Sequence, residues 1–498
     1  MEPVTPPDSS LDPQDWEDFR ALSHRAVDDM IEWLRLRGEA PAWSEIPDEV
    51  RSALAAPIGD DGESEEAIYE DFLESVLPYS LGNTHPRFFG WVHGGGTPVG
   101  ALAGFLASTM NANLGGRAHS PVLVERQVLD WCRSVFGFPA DSGGILLSGT
   151  SMATVVGLAV ARHRATEGRD RAEGIQGRSR LVGYTSAEAH NSIAKAFELL
   201  GLGHEALRVI PLDAAGGLDA EELEARVRAD LEAGHHPFAI VATVGSVNTG
   251  GFDDLTSLRA VADRNGLWLH VDGAFGAVAR LSPRLAPLVE GIEGVDSLAF
   301  DFHKWLQVPY DAGCVLVRDG SLHRATFESR RDYLTSQERG AASGEPWFCD
   351  FGPELSRGFR ALKVWFTLRH YGRKRLGAMV ERACDNATRL GARVEAEDEL
   401  ELLAPVTLNV VCFRYRGLRE VGGPDRGERA GEELDRLNRD LLIALHEQGI
   451  AVPSPTRVDG AFALRVCICN HRTGPDDVDA LADATLALGR ELSRVPAR

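Results

Sequence analysis

The chain has 498 residues, of which 44% are hydrophobic and 25% are charged. This composition is that of a globular protein, so it excludes wholesale disorder and fibrous architectures. With 52 Lys and Arg against 74 Asp and Glu, the formal net charge is −22. A surface this acidic repels phosphate backbones and anionic lipid headgroups, which argues against binding to nucleic acid or to a membrane surface.

Neither export nor membrane insertion is predicted. The most apolar stretches, residues 100–110 and 153–161, are shorter than the roughly 18 residues that a spanning helix needs. Residues 1–19 are acidic and lack the apolar run of a secretory signal. The seven cysteines form no C-x-x-C pair, and Cys467 and Cys469 lack a second ligand pair. We therefore expect free thiols, no metal and a cytoplasmic location.

The N-terminal part is predicted to be helical. Apolar residues at helical spacing predict an amphipathic helix over residues 15–37 and a second helix near residues 68–76. A proline- and acid-rich connection separates them. We therefore predict an N-terminal helical segment over residues 1–85, which the large domain follows over residues 86–375, with a helix near residues 122–136.

Strands alternate with helices in the large domain. Apolar, β-branched runs predict strands at residues 181–184, 208–212, 238–244, 267–271 and 314–317. Helices are predicted at residues 187–200 and 221–232. This order predicts an α/β fold with a mainly parallel sheet, helices on both faces, and ligands at the carboxyl ends of the strands.

The remaining residues, 376–498, are predicted to form a small C-terminal α+β domain with strands near residues 408–415 and 462–469. Two polar, glycine-rich stretches, residues 331–346 and 421–433, are predicted to be mobile loops.

The first motif with chemical content is Leu-Ser-Gly-Thr-Ser-Met-Ala at residues 147–153, which leads into an apolar helix. A glycine turn with hydroxyls at a helix start binds anions well, because backbone N–H groups and the helix dipole point at the anion. For this motif alone, an ordinary helix N-cap is the simpler interpretation.

The same string resembles the nucleophile motif of subtilisin-type proteases, with Ser151 as nucleophile, and His93 begins a weak match to the histidine motif of that family. The family follows its string with serine or threonine and then proline, whereas Thr154 is followed here by Val155. No aspartate motif precedes His93. A serine protease is therefore only a remote alternative.

Three further residues carry chemistry. Asp272 ends an apolar strand, where capping the next turn would be its simplest role. Lys304 has aromatic and apolar neighbours that favour a nucleophilic amine, although a lone lysine more often extends its charge into solvent. His190 follows a predicted strand, and its simplest role is to cap a helix or to pack in the core.

Together these motifs specify the chemistry of pyridoxal 5′-phosphate (PLP). An anion-binding turn takes the phosphate and a lysine forms the Schiff base. A strand-end aspartate keeps the pyridine nitrogen protonated, so that the ring accepts electrons from the substrate. The histidine can stack on the ring and orient the substrate carboxyl group.

The sequence resembles the group II PLP-dependent amino-acid decarboxylases, in particular the aromatic-L-amino-acid decarboxylase family. His190, the His-Val-Asp-Gly-Ala run at 270–274 and the His-Lys-Trp run at 303–305 carry the resemblance. Further family-like runs occur in the expected order at residues 85–89, 359–365 and 464–466. The resemblance therefore covers nearly the whole chain.

The resemblance implies a role for each matching residue. Lys304 would be the Schiff-base lysine, Asp272 the partner of the pyridinium nitrogen and His190 the residue that stacks on the ring. The other implied cofactor contacts are Thr150, Ser151, Ser246, Ala274 and His303, and the implied substrate-pocket residues are Phe88, Phe89 and Trp91. The implied fold is the aspartate-aminotransferase-like type (PLP fold type I), in a homodimer with active sites at the subunit interface and N-terminal helices around the partner.

Two residues depart from the family pattern, and the departure at Phe348 is the larger one. The family carries a loop tyrosine that reprotonates the substrate carbon after CO2 leaves, and counting back from Phe359 puts that position at Phe348, with Tyr333 upstream. Phenylalanine has no proton to deliver. Relatives with phenylalanine there are similar to aldehyde synthases, which release aldehyde, ammonia and hydrogen peroxide. Asp301, where the animal enzymes commonly have asparagine, is a smaller departure.

The sequence thus predicts a PLP-dependent carboxy-lyase in amino-acid metabolism that acts on an L-amino acid with an aromatic or otherwise bulky side chain. Three alternatives keep the fold or the cofactor: oxidative deamination to an aldehyde, other PLP lyase chemistry such as β-elimination on a natural-product substrate, and a non-catalytic dimeric scaffold.

Overall fold

A computed structural model of the protein describes residues 11–176, 179–329, 336–417 and 428–494. Its α-helices are α1 Trp16–Arg35, α2 Asp48–Leu54, α3 Glu65–Asp71, α4 Pro98–Met110, α5 Ser120–Phe136, α6 Thr150–Ala165, α7 Asp170–Glu173, α8 Ser192–Leu199, α9 Ala220–Glu232, α10 Leu255–Asn265, α11 Gly320–Phe327, α12 Arg360–Ala396, α13 Glu428–Glu447 and α14 Pro475–Leu492. A π-helical turn, Phe72–Val76, extends α3, and short 3-10 turns include Gly276–Leu281 and Phe348–Asp350.

The strands form two sheets. They are β1 Gly143–Leu147, β2 Leu181–Ser186, β3 Leu207–Ile210, β4 His236–Thr243, β5 Trp268–Asp272, β6 Ser297–Asp301, β7 Gly313–Val317, β8 Leu400–Leu402, β9 Val410–Tyr415, β10 Ser454–Val458 and β11 Ala461–Cys467. The larger sheet has the order β1-β7-β6-β5-β4-β2-β3 and the smaller one the order β10-β11-β9-β8.

The centre of the larger sheet is parallel. Strands β3, β2, β4, β5 and β6 pair in parallel, whereas β7 pairs antiparallel with both β6 and β1. Every residue of β2, β5 and β6 is buried, as expected for strands with helices on both faces. The predicted α/β fold with a mainly parallel sheet is confirmed, and the carboxyl ends of β4, β5 and β6 meet at one edge.

Helix α6 lies against this sheet with its first turn at the same edge. Gly149 precedes it in extended conformation, and ten of its sixteen residues are buried. Because the amino end of the helix and the carboxyl ends of the strands meet, free N–H groups face the end of the sheet.

Most predicted elements are present, with shifted ends. The predicted strands correspond to β2, β3, β4, β5 and β7, and the predicted helix over 15–37 corresponds to α1. The two predicted C-terminal strands correspond to β9 and β11, whereas strands β1, β6, β8 and β10 were not predicted. The predicted helix over 187–200 is wrong in its first turn, because α8 begins only at Ser192. The predicted mobile segment 421–433 is wrong from residue 428 on, where α13 begins, and residues 421–427 lie outside the described ranges.

The segment around Phe88 contacts the segment that precedes β10. Phe88 bridges to Val452, and the N–H of Phe89 donates to the Val452 carbonyl at 2.9 Å. Helix α12 crosses the predicted boundary at residues 375/376, with a kink at Gly372, where φ is 66°. The division into residues 1–85, 86–375 and 376–498 therefore stays a prediction. No helix in the described ranges is long and apolar enough to cross a membrane.

The cysteines are all unpaired in the structure. Cys467 and Cys469 are buried, and no group of His, Cys, Asp or Glu within the described part of the chain is arranged to hold a metal ion.

Candidate active site

A cavity of about 520 Å³ opens at the edge where the parallel strands end. Thr243 ends β4, Asp272 ends β5 and Asp301 ends β6, and all three line the cavity together with Lys304 and the first turn of α6. Parallel sheets place their ligand sites at this edge. The topology therefore brings together motifs that lie far apart in the sequence.

The first turn of α6 forms an anion-binding pocket wall. Gly149 has no side chain, and a Cβ added there would lie 3.2 Å from the His303 ring. The Oγ1 atoms of Thr150 and Thr243 are buried without a hydrogen-bond partner. A buried hydroxyl without a partner is costly. The Thr150 hydroxyl and the helix N-terminus therefore suit a bound phosphate, the Thr243 hydroxyl at the end of β4 offers a further polar contact in the cavity, and the residues present fit PLP.

Asp301 connects three parts of the site. Its Oδ1 accepts a hydrogen bond from the N–H of Thr150 at 2.7 Å. Its Oδ2 lies 3.3 Å from the Lys304 Nζ and 3.6 Å from the His303 Nε2. Because Asp301 is 2% exposed, these contacts are shielded from water. The carboxylate therefore fixes the amine, the imidazole and the start of the helix relative to one another.

Asp272 lies at the base of the cavity and is 4% exposed. Burial raises the pKa of Asp272, while the charges of Lys304 and His190 and the N–H of Ala274, which donates to Oδ1 at 3.1 Å, lower it. The carboxylate thus lacks a strong partner of its own within the protein. A cationic ring nitrogen is the kind of group that would stabilise its charged form.

His190 lies in the turn between β2 and α8. The N–H of Ser192 donates to its Nδ1 at 3.2 Å, and the Ser192 Oγ lies 2.8 Å from the same atom. Nδ1 is therefore an acceptor, which places the proton on Nε2. Burial lowers the pKa of His190, so the ring is neutral at physiological pH. The side-chain contact with Ser192 also explains why the helix starts late.

His303 is held in the same way. The N–H of Ala312 donates to its Nδ1 at 3.1 Å, which leaves a proton on the Nε2 that faces Asp301. The ring packs against Tyr310, with a centroid distance of 4.4 Å. Burial lowers the pKa of His303. The cavity therefore has a neutral imidazole beside its anion-binding wall.

Aromatic side chains form the other wall. Trp91 and His93 stack at 5.6 Å, and His93 meets the edge of Tyr310 at 6.1 Å. Trp91 has a positive φ of 48°, and Arg465 donates to its carbonyl at 2.9 Å. Of the three predicted substrate-pocket residues only Trp91 lines the cavity. Phe88 and Phe89 are buried in hydrophobic clusters.

Two other predicted site residues lie outside the cavity lining. The Ser246 hydroxyl accepts from the N–H of Gly251 at 3.1 Å and so closes a local turn, while its neighbours Gly245 and Val247 line the cavity. Phe348 is 5% exposed, and its ring lies 5.0 Å from the Arg357 guanidinium. Phe348 therefore packs in the core of its own chain. Tyr333 lies outside the described residues.

The remaining predicted site residues all line the cavity: Thr150, Ser151, His190, Asp272, Ala274, His303 and Lys304. It missed Thr243, Phe275 and Tyr310, and it noted His93 only for a weak protease resemblance. Thr243 and Tyr310 belong to no motif. A hydroxyl at the predicted end of a parallel strand was the one available signal for Thr243.

Known proteins resemble the chain over most of its length. The pyridoxal-dependent decarboxylase conserved domain matches residues 47–416. An aromatic-L-amino-acid decarboxylase of Bacillus atrophaeus is 31% identical over 486 residues, which cover 96% of this chain and 96% of that protein. A phenylacetaldehyde synthase of Arabidopsis thaliana is 28% identical over 476 residues, covering 92% of this chain and 93% of that protein.

A solved structure agrees with the sequence matches. The crystal structure of Oryza sativa TDC with PLP and tryptamine is 26% identical, with a TM-score of 0.87, and the match covers 97% of this chain and 100% of that one. The predicted fold type, the PLP cofactor and an amino-acid substrate are thereby confirmed, and the protease alternative has no support. The chain belongs to the pyridoxal-dependent decarboxylase family.

Proposed function

We propose that this chain decarboxylates an aromatic L-amino acid to the corresponding amine. The observation that carries the proposal is the composition of the cavity wall, where Trp91, His93, Phe275 and Tyr310 face the same space as Lys304. Aromatic side chains favour an aromatic ligand through their faces and edges. Among the described lining residues Lys304 is the one lysine or arginine. The wall thus offers no cation to the side chain of an acidic substrate such as glutamate.

We assign the cofactor contacts to hydroxyls and charged side chains that line the cavity. Thr150 and Thr243 offer buried hydroxyls, and Ser151 adds a third in the first turn of α6. Asp272 would hold the proton of the ring nitrogen, and Lys304 would supply the amine that attaches the cofactor. PLP, when bound, supplies an electron sink for the electron pair that remains when CO2 leaves.

His190 and Tyr310 are the groups that we assign to orientation and to proton return. The Nε2–H of His190 can donate to a substrate carboxylate, because Ser192 occupies the other ring nitrogen. Burial raises the pKa of Tyr310, so its hydroxyl carries a proton at neutral pH. That proton can pass to the substrate carbon, which favours amine over aldehyde.

We also propose a homodimer with shared active sites. Helix α4 starts close after the pocket residues Trp91 and His93, and it exposes Leu102, Phe105 and Met110, each more than half exposed. Helix α1 likewise exposes Trp16 and Ile31. Large apolar side chains grouped on one helix indicate a protein interface. A second copy on α4 would lie beside the cavity mouth, and sedimentation analysis of Phe105→Glu tests this interface.

The free thiols support a cytoplasmic protein. Seven cysteines without a disulfide are typical of a reducing compartment. Fractionation of the cells that produce the protein tests this location.

Product analysis tests the proposed activity. The PLP-loaded protein is incubated in air with tryptophan, phenylalanine, tyrosine and glutamate in separate reactions, and amine, aldehyde and hydrogen peroxide are quantified. We expect amine from an aromatic substrate without matching peroxide. Aldehyde with equimolar peroxide would overturn the amine assignment in favour of oxidative deamination, and turnover of glutamate alone would overturn the substrate class.

Two lysine variants separate the assigned amine from a general effect of charge. Lys304→Ala should abolish turnover and the absorbance of the bound cofactor. Lys374→Ala, which removes an exposed lysine of α12, should leave both unchanged. Turnover that survives in Lys304→Ala would refute the role of this residue.

A further inference from the structure

A second cavity, of about 400 Å³, lies apart from the cofactor cavity and shares none of its lining residues. Its polar lining residues are Thr97, Gln307, Tyr371, Arg375, Arg382 and His471. We call it the arginine pocket. Its walls come from the middle of α12, from the loop before α4 and from the segment that follows β11.

Two arginines, Arg375 and Arg382, line the arginine pocket, and a third, Arg472, follows the lining residue His471 in sequence. The guanidinium of Arg375 lies 4.9 Å from the centroid of the Tyr371 ring, and Arg382 donates to the carbonyl of His471. Arg472, the next residue, donates from Nη1 to the carbonyls of Gly95 and Gly96 at 2.9 and 3.2 Å. All three guanidiniums thus contact neutral groups, and Arg375 and Arg382 are exposed to solvent as well.

No carboxylate lies in the described lining of the arginine pocket, and no ion pair within the described ranges includes Arg375, Arg382 or Arg472. The next arginines along α12 differ, because Arg389 pairs with Asp479 and Arg393 with Asp483. In a chain with a formal net charge of −22, a cavity whose charged lining residues, among those described, are both arginines is unexpected. Such a cavity concentrates anions.

The titratable groups of the pocket add to this positive charge or stay neutral. Burial lowers the pKa of Arg472, whereas the nearby Tyr371 raises it. The pKa of His471 is lowered to about 4, first by burial and then by Arg472, with Arg382 and Arg375 contributing. His471 is therefore neutral, and its Nε2 donates to the Gly96 carbonyl at 3.0 Å. No group inside the pocket neutralises the arginines.

We propose that the arginine pocket binds a small oxyanion of the phosphate class that carries more than one negative charge. Guanidinium groups bind phosphate oxygens through paired N–H donors, and this geometry makes arginine the preferred residue for such anions. Arg375 and Arg382 each keep N–H donors that no described acceptor uses. The cavity is large enough for pyrophosphate or for a phosphate ester.

The test uses protein saturated with PLP, so that the cofactor's own phosphate site is filled. Pyrophosphate is titrated calorimetrically in a buffer without phosphate, into the wild type, Arg375→Gln/Arg382→Gln and Arg389→Gln/Arg393→Gln. The second double variant is the matched control, since it removes two arginines from the same helix outside the pocket. We expect one pyrophosphate per chain in the wild type and in the control, and binding weaker by at least about tenfold in the pocket variant.

Three results would overturn the proposal. They are equal affinity in both double variants, no binding by the wild type at millimolar pyrophosphate, and dissociation of an oligomer by the pocket substitutions without any pyrophosphate binding. The last result would assign the pocket to an acidic segment of a second copy. The cofactor absorbance of each variant reports whether it is folded and loaded.

Discussion

The Oδ1 of Asp301 accepts a hydrogen bond from the backbone N–H of Thr150 at 2.7 Å, at the first turn of α6. A carboxylate therefore stands at the helix N-terminus that the phosphate of PLP would approach. The other oxygen of Asp301 lies 3.3 Å from the Lys304 amine. One buried anion thus interacts both with the anion-binding helix and with the amine that attaches the cofactor.

Asp301→Asn should tighten PLP binding. The amide oxygen can still accept from Thr150, but the negative charge that repels the phosphate is removed, so we expect the dissociation constant to fall by about three- to tenfold. Titration of the apoprotein with PLP, followed by absorbance, measures it. Asp311→Asn is the control, because that carboxylate pairs with Arg360 outside the cofactor cavity. Weaker PLP binding in Asp301→Asn would contradict the expectation.

Phe348→Tyr should leave the product unchanged. The ring of Phe348 is 5% exposed and packs on Arg357, whose guanidinium forms a buried ion pair with Glu125. A hydroxyl added there would be buried without a hydrogen-bond partner, so we expect the free energy of unfolding to fall by about 1–3 kcal/mol. The ratio of amine to peroxide should equal that of the wild type. A changed ratio would show that residue 348 reaches a reacting centre after all.

Tyr310→Phe should lower kcat by about a hundredfold, the size of a single general-acid contribution. The affinity for substrate should change little, because the ring remains in the aromatic wall, and the fraction of aldehyde and peroxide should rise as reprotonation slows. Tyr69→Phe removes a hydroxyl bonded to Asp29 in the N-terminal segment and is the control. Unchanged kcat in Tyr310→Phe would refute the proton-return role.

The stability of the fold should fall as the pH drops below neutrality. His323 is fully buried, its Nε2 donates to the Phe351 carbonyl at 2.8 Å, and burial lowers its pKa to about 4. The unfolded chain binds a proton near the ordinary pKa of about 6.5, so protonation favours unfolding. At pH values between the pKa of the unfolded chain and that of the folded protein, the loss of unfolding free energy grows as the pH falls. At pH 5 it amounts to about 2 kcal/mol for this residue.

Thermal unfolding at several pH values measures this effect. In His323→Gln the decrease of the midpoint between pH 7 and pH 5 should be smaller than in the wild type. His204→Gln, at a mostly exposed histidine beside Glu198, should keep the wild-type pH dependence. His85 and His270 are buried in the same way, with pKa values lowered to about 4 and about 3, so they should add to the decrease.

The sequence predicted those site residues that belong to short local motifs. Lys304 and His303 are adjacent, and Asp272 ends a strand whose apolar run is visible without a structure. Gly149 caps a helix that begins at Thr150, and the glycine turn in the sequence predicts this helix start. These features depend on a few consecutive residues, and the alternation of strands and helices places them at one edge of a parallel sheet. The fold and cofactor were therefore predictable.

The tertiary structure decided what those residues contact. Counting along the chain put Phe348 at a catalytic loop position, but packing against Arg357 places it in the core. Phe88 and Phe89 were predicted as pocket residues, yet both are buried in hydrophobic clusters and pair through their backbones with Val452 and Cys467. Tyr310 and Thr243, which belong to no motif, reach the cavity because separate segments meet there.

The same distinction explains the arginine pocket. Arg375 and Arg382 lie on one helix, and from the sequence alone such arginines are expected on a solvent-exposed helix face. In the folded chain they lie beside His471 and Arg472, from a segment about ninety residues later, so that several guanidinium groups come together without a carboxylate among the described lining residues. The sequence by itself determined most of the secondary structure of the large sheet, the fold family and the cofactor chemistry, because local patterns encode them. Only the folded chain decided which polar groups lack partners, because burial and pairing depend on residues distant in sequence.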